Sequence, residues 1–199
     1  MVTFEMIGGR TCLDFANTGS QRREGPFIDR LNTYEDLLAW AIQAEQLTEE
    51  EAAHLRTKAA AYPAGARAVL ERGRALREAI YRVFTARQTG AELPADDLKL
   101  ISEEYGRAAV NRLLTPSNVG VCTFEWHTHD ALDRPLWPVA VSATNLVASE
   151  DALRVKECAT DNCNWLFLDM SKNRSRRWCE MKECGNRAKA RRHYHRKHQ

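Results

Sequence analysis

Cys158-Ala159-Thr160-Asp161-Asn162-Cys163 is followed, fifteen residues on, by Cys179-Glu180-Met181-Lys182-Glu183-Cys184. These two cysteine pairs, each with four residues between partners, most constrain how the chain can fold. A segment of about forty residues cannot bury enough apolar surface to hold itself together. The quartet must therefore do so. Four thiolates are soft ligands that close a tetrahedral site and leave no open position, as a structural Zn²⁺ requires. One structural Zn²⁺, held by Cys158, Cys163, Cys179 and Cys184, is the expectation. Its binding would supply folding free energy on the order of 10 kcal/mol. Two local disulfides, four buried thiols, or one of His193, His195 and His198 replacing a cysteine stay open as alternatives.

Six cysteines would make a modest disulfide set in a secreted chain. The start, Met1-Val2-Thr3-Phe4-Glu5-Met6, has neither the basic nor the apolar region of a secretion signal. No run approaches the roughly 20 apolar residues of a membrane span. A cytoplasmic protein with no membrane partner is expected, and in that reducing setting clustered cysteines read as metal ligands. Cys12 and Cys122 stand apart in apolar surroundings and are expected to be buried thiols.

The 199 residues are 44% hydrophobic, enough for one sizeable core with something small attached. Thr33-Tyr34-Glu35-Asp36 and Thr48-Glu49-Glu50-Glu51 read as helix N-caps with acidic first turns. The second helix should reach Ala61, before Pro63. Val69, Leu70, Leu76, Ile80, Val83 and Phe84 recur at helical spacing, and Pro94 opens a further helix. Pro135–Ala148 is a long apolar run, most simply a buried helix with its prolines in or near the first turn. Residues 4–18 suggest strand, Gly8-Gly9 turn and helix. Residues 19–29 read as loop, and residues 119–127 look extended. The predicted class is mainly α: a helical domain with minor β over residues 1–150, then a small α+β treble-clef-like zinc module over residues 151–199. In that module Trp165–Asp169 and Arg176–Cys179 are expected to pair as a hairpin. Cys184 then sits where a helix begins, with Asn186 as a possible cap and Gly185 allowing close backbone approach to sulfur.

The C-terminal motifs carry a resemblance. Cys184-Gly185-Asn186-Arg187, preceded by Phe167-Leu168-Asp169 and Arg176-Arg177-Trp178-Cys179, resembles the CGNR zinc-finger family. Cys12-Leu13-Asp14-Phe15-Ala16-Asn17-Thr18, with Leu37, Trp40 and Pro135-Leu136-Trp137-Pro138-Val139-Ala140, resembles the ABATE domain that usually precedes this finger. The resemblance spans nearly the whole chain. It implies a helical N-terminal domain with room for a ligand pocket, a zinc-ribbon-like C-terminal domain, and a role in stress-related transcription regulation through nucleic-acid binding.

Charge agrees with a polyanionic partner. The formal net charge of +2 divides unevenly: residues 154–199 carry 13 Lys and Arg against 5 Asp and Glu, and the rest carries 16 against 22. A tetrathiolate zinc adds about −2 to the basic part. Candidate nucleic-acid contacts, to DNA or RNA, are Arg174, Arg176, Arg177, Arg187, Lys189, Arg191, Arg192 and Arg196. At 100° per residue, Lys189, Arg192 and Arg196 share one helix face, and Arg187 and Arg191 another. Guanidinium forks fit phosphate oxygens, and Trp178 and Tyr194 could stack on bases. The competing reading docks the zinc module on the acidic body, as a structural or protein-interaction device. Asp14, Asn17 and Arg30, with Arg22 and Arg23 nearby, are candidates for a small-effector pocket. They compete with simple capping and loop-tying roles. His127, His129 and Asp130 form a cluster better read as loop residues. There is no nucleophile–base motif and no phosphate-binding glycine loop, so no enzymatic activity is expected.

Overall fold

A computed structural model describes residues 2–21, 26–117, 120–127, 130–160 and 162–197, without the side chains of Arg192, His193, His195 and Arg196. Seven α-helices dominate it: α1 (Thr11–Ala16), α2 (Tyr34–Gln43), α3 (Glu49–Ala61), α4 (Pro63–Thr89), α5 (Ala95–Ala109), α6 (Trp137–Val147) and α7 (Asn186–Lys197). Six short strands form three antiparallel pairs: β1 (Gly19–Ser20) with β2 (Ile28–Asp29), β3 (Arg112–Pro116) with β4 (Cys122–Trp126), and β5 (Val155–Glu157) with β6 (Leu166–Leu168). The chain is thus mainly helical, with a small cysteine-built module at its C-terminal end.

Local chemistry sets the helix boundaries. Thr33 and Thr48 each close a capping box, with Asp36 and Glu51 as reciprocal partners, so two orphan N–H groups are satisfied at each start. Pro63 occupies the first position of α4, where its missing N–H costs nothing. Gly90 ends α4 at φ 71°, a left-handed conformation that favours glycine. The Gly8-Gly9 turn is steric as well as conformational. A Cβ on Gly8 would lie 2.8 Å from Leu13 Cβ, and Gly9 sits at φ 80°. No strand precedes that turn, so the opening is turn and helix only.

The core forms around the apolar face of α4. Leu76, Ala79, Ile80, Val83 and Phe84 are buried there against α1, α5 and β5. α6 packs on α1 and α5 through Val139, Ala140, Ala143 and Leu146. Phe15 meets Trp40 edge-on, with ring centroids 4.7 Å apart. Arg77, 2% exposed, pins β2 to α4 through two bonds to Asp29 at 2.6 and 3.0 Å. Burial would raise the Asp29 carboxyl, but the Arg77 guanidinium, the Leu31 N–H and Arg74 together more than offset this and hold it below its usual range.

Two expectations change around residues 112–126. The extended segment has a partner, β3, which sequence reading missed because Leu113 and Leu114 are exposed. Cys122 lies exposed on β4, not buried, because the hairpin projects and leaves most of both strands open. Cys12 is fully buried and its thiol is pushed up to about 12 by desolvation.

Candidate metal centre and the surface around it

The module begins where β5 leaves the helical core. Its hairpin differs from the expected one. β6 pairs with β5, not with Arg176–Cys179, in the register Val155↔Leu168, Lys156↔Phe167 and Glu157↔Leu166. A further bond, from Cys158 N–H to Trp165 O at 2.8 Å, extends this ladder. Cys158 and Cys163 therefore lie in the loop that joins the two strands. Residues 171–180 form no return strand: side chains take the Ser171 and Arg176 N–H groups, and Arg177 O accepts from Ala159 N–H at 2.9 Å. The buried Asp169 carboxylate accepts from Ser171 Oγ (2.6 Å), Ser171 N–H (3.0 Å), Arg176 N–H (3.0 Å) and Lys156 Nζ (2.7 Å). Burial alone would raise this carboxyl. The Lys156 ammonium and the Ser171 hydroxyl overcome that and hold it far below the ordinary range.

The second cysteine pair is brought round by this turn. Cys184 lies in a single wide helical turn, Met181–Gly185, that runs directly into α7. Asn186 is already helical, at φ −68° and ψ −40°, so it does not cap the helix, and its amide donates back to Lys182 O. Gly185 faces the Met181 side chain and not the cysteine thiolates: a Cβ there would lie 2.5 Å from Met181 Sδ, and that flexible side chain would have to move.

All four Sγ atoms lie within 4.8 Å of one another, and the cysteines are 2–8% exposed. Cys163 and Cys179 Sγ are 3.6 Å apart, as are Cys179 and Cys184 Sγ. A tetrahedron with Zn–S of roughly 2.3 Å has S–S edges of roughly 3.8 Å, so the cage matches the ion. Hydrogen bonds from Cys163 and Cys179 pull the Cys158 thiol far down, while the same contacts push Cys163 and Cys179 up. Only a cation at the centre lets all four be thiolates. The quartet is a zinc site, one structural Zn²⁺ per chain, and its closed all-sulfur shell leaves no position for substrate.

The module is bolted to the helical body. Asn17, 3% exposed, donates through Nδ2 to Leu166 O (2.9 Å) and accepts from Leu166 N–H at Oδ1 (2.8 Å). Leu168 N–H donates to Gly8 O (2.8 Å), Tyr81 OH bonds Glu157 Oε1 (2.9 Å), and Glu157 N–H donates to Gln88 Oε1 (3.1 Å). Val155, Leu166 and Leu168 belong to the main core, whereas Phe167, on the opposite face of β6, packs with the cysteines and Trp165.

The three residues read as an effector pocket do not converge. Asn17 is committed to Leu166. Asp14 accepts from Gly8 N–H at 2.7 Å and borders a separate shallow cleft with Met6, Thr11 and Gln43. Arg30 lies over the Trp165 ring at 5.7 Å, in a cleft between the body and the zinc module. Arg22, Arg23 and His129 lie outside the described residues.

The basic residues divide. Arg176 turns inward over Phe167 at 4.5 Å, and its guanidinium donates to Trp178 O (2.9 Å) and to Cys179 O. It braces the zinc loop instead of facing outward. Arg174, Arg177, Arg187, Lys189 and Arg191 are exposed. Arg187 and Arg191, one turn apart on α7, border a shallow hollow with Thr160 and Asn162. The side chains of Arg192 and Arg196 lie outside the described residues. Sequence reading missed Lys156, Asp169 and Glu157 as supports of the module. Phe167-Leu168-Asp169 was visible as a motif, but its role in fixing a turn was not.

Comparison with known families gives two matches. The ABATE model, described as "Putative stress-induced transcription regulator", matches residues 9–150. The CGNR zinc finger model matches residues 154–197. No curated protein matches.

Proposed function

Given a chain that belongs to the ABATE family of stress-induced transcription regulators and ends in a CGNR zinc finger, we propose that it binds nucleic acid through the outer face of that finger and catalyses no reaction. The body would act as the sensing or assembly half of a regulator. The reducing cytoplasm is its fitting setting, because thiolates there stay available to zinc.

One observation carries this reading. The module docks through β5 and β6, and α7, which has no acidic residue, packs chiefly on the turn that starts it. The docking strands and the basic helix are thus different elements, with Arg187 at the border between them. The structural alternative, in which the module exists to brace the body, uses the first face and leaves the second unexplained. Arg187, Lys189, Arg191, Arg174 and Arg177 supply cations for phosphates, and the half-buried Trp178 and the exposed Tyr194 supply rings.

The test is fluorescence anisotropy of the zinc-loaded chain with mixed-sequence duplex DNA and with single-stranded RNA, over a salt series. Binding with a slope equal to several released counterions is expected. Absence of binding to both at low salt would leave the bracing role as the better account.

A further inference from the structure

The β3–β4 hairpin stands apart from the other strands. Two strands alone are marginal in water at best, and among the described residues no third strand joins this pair. In the register Leu114↔Phe124 and Pro116↔Cys122, these four residues share one face. Leu114 is 62% and Phe124 56% exposed, and Pro116 and Cys122 are exposed beside them. At the base of the same face Trp126 rests on Trp137, with ring centroids 5.4 Å apart. The apolar side of the ribbon thus begins on the body and continues past it uncovered.

The two edges of the ribbon differ. His127 N–H donates to Asn111 O and Ser117 N–H to Val121 O, both at 2.7 Å. These contacts fix the alternation between them: Leu113, Thr115, Thr123 and Glu125 turn their backbone groups inward, to the facing strand. Cys122, Phe124 and Trp126 turn theirs outward along β4, and Arg112, Leu114 and Pro116 do so along β3. Pro116 has no N–H, so the β3 edge lacks a donor, which blunts it. The β4 edge contains no proline, glycine or lysine. Its outward N–H groups have no partner among the described residues.

β4 is also its own complement. Laid antiparallel on a second copy about Phe124, it sets Phe124 against Phe124 and Cys122 against Trp126. Every outward donor then meets an outward acceptor, for about six hydrogen bonds. Thr123 falls opposite Glu125, so no like charges meet. Cys122, near the free end of one ribbon, comes beside the Trp126 that rests on the other copy's body. The face left open in one copy is therefore covered by the body of the other. Each copy brings on the order of 400 Å² of apolar side chain there. That is half of the roughly 800 Å² per partner that a stable dimer buries, before the paired edges are counted.

We propose that the β4 edge is a homodimer surface, where two copies of this chain join β4 to β4 in one four-stranded antiparallel sheet. The pairing requires no nucleic acid and goes beyond the reading above. It places two zinc modules, and two basic α7 helices, on one particle.

The test is sedimentation velocity of the full zinc-loaded chain, without nucleic acid, from about 1 to about 100 µM. A species of twice the chain mass should grow with concentration. Leu114→Pro and Phe124→Pro each remove one outward N–H, the first from the outer edge of the dimer sheet and the second from its centre. Neither removes a bond between β3 and β4. Phe124→Pro should weaken the dimer about a hundredfold and Leu114→Pro less than about tenfold, with zinc content unchanged in both. In the parent dimer the amides of Cys122 and Trp126 should exchange about tenfold or more slowly than in the Phe124→Pro monomer. A parent chain that stays monomeric at the highest concentration, equal weakening by the two prolines, or unaltered exchange at Cys122 and Trp126 would overturn the pairing. Nucleic-acid anisotropy stands or falls separately, so the two readings fail independently.

Discussion

Asn17 shows how much one amide can decide. It satisfies both backbone groups of Leu166 across a buried junction, as a neighbouring strand would. Asn17→Ala leaves an N–H and a C=O buried without partners, and a loss of about 2–4 kcal/mol is expected in urea unfolding. The Leu166 amide should then exchange faster than those of α4, and an unchanged exchange rate would remove the junction role. Asp14 offers the opposite case. Burial, opposed only by the Gly8 N–H, raises its carboxyl to about 6 from 3.8. The folded chain therefore holds this proton more tightly than the unfolded chain does. Asp14 accordingly costs stability increasingly as pH rises from about 4 to about 6, and the cost persists above that range. Asp14→Asn should stabilise by about 1–2 kcal/mol at neutral pH, allowing for the water that still reaches this partly exposed group, and by nothing below about pH 4. Comparing variant and parent at each pH cancels the common effect of acid on the thiolates. The tie from Asp14 to the Gly8 turn fits the loop-tying reading, but its raised carboxyl and the junction role of Asn17 were out of reach of the sequence. Asn17 and Asp14 stood out as polar residues in an apolar run, but a partner 149 residues from Asn17 and the burial of Asp14 leave no local pattern.

Among the elements, boundaries set by local chemistry were legible and pairings set by distant contacts were not. The capping boxes at Thr33 and Thr48, the proline before α4 and the helical spacing of Val69 to Phe84 each act within a turn or two. β5 pairs with β6 on the main core, and Asp169, by drawing in the backbone of Ser171 and Arg176, removes the expected return strand. That pairing alters what loss of the metal should do. Cys184→Ser should loosen residues 171–197, whereas β5 and β6, held by the main core, should keep slow amide exchange. If both strands exchange freely in that variant, zinc and not the helical body supports them. For α7 the relevant change is Lys189, Arg192 and Arg196 together to Ala, which share a face by helical spacing. Ala preserves the helix, and neither Lys nor Arg is a zinc ligand. The salt slope of nucleic-acid binding should fall by about three, one per cation removed, with zinc content unchanged. Binding at parental strength and slope would confine the contact surface to Arg174, Arg177, Arg187 and Arg191.

At the scale of the whole molecule, charge and docking separate. The uneven division of charge is compatible with a basic module that sits on an acidic body through charge alone. The junction is instead made by β-strand backbone, an asparagine and buried aliphatic side chains, and Arg174, Arg177, Lys189 and Arg191 are left exposed. No helix among the described residues is long and apolar enough to cross a membrane. The junction also predicts how metal removal spreads. Stripping zinc with a strong chelator should melt the cysteine loops and α7 in a first step. The helical body should follow only at a temperature near that of the intact protein. A single transition for both would mean that zinc stabilises the whole chain.

One consequence of the shared strand β6 concerns geometry between molecules. A finger on a slack tether samples many headings, and two such fingers could straddle target sites at many separations. Here one strand serves two cores, with an asparagine riveting its edge, so α7 keeps a fixed compass bearing on the helical body. Any assembly of two bodies would then act as a caliper. Its two basic helices would meet a duplex at one separation, and sites displaced by half a helical turn, about five base pairs, would present their grooves on the wrong side.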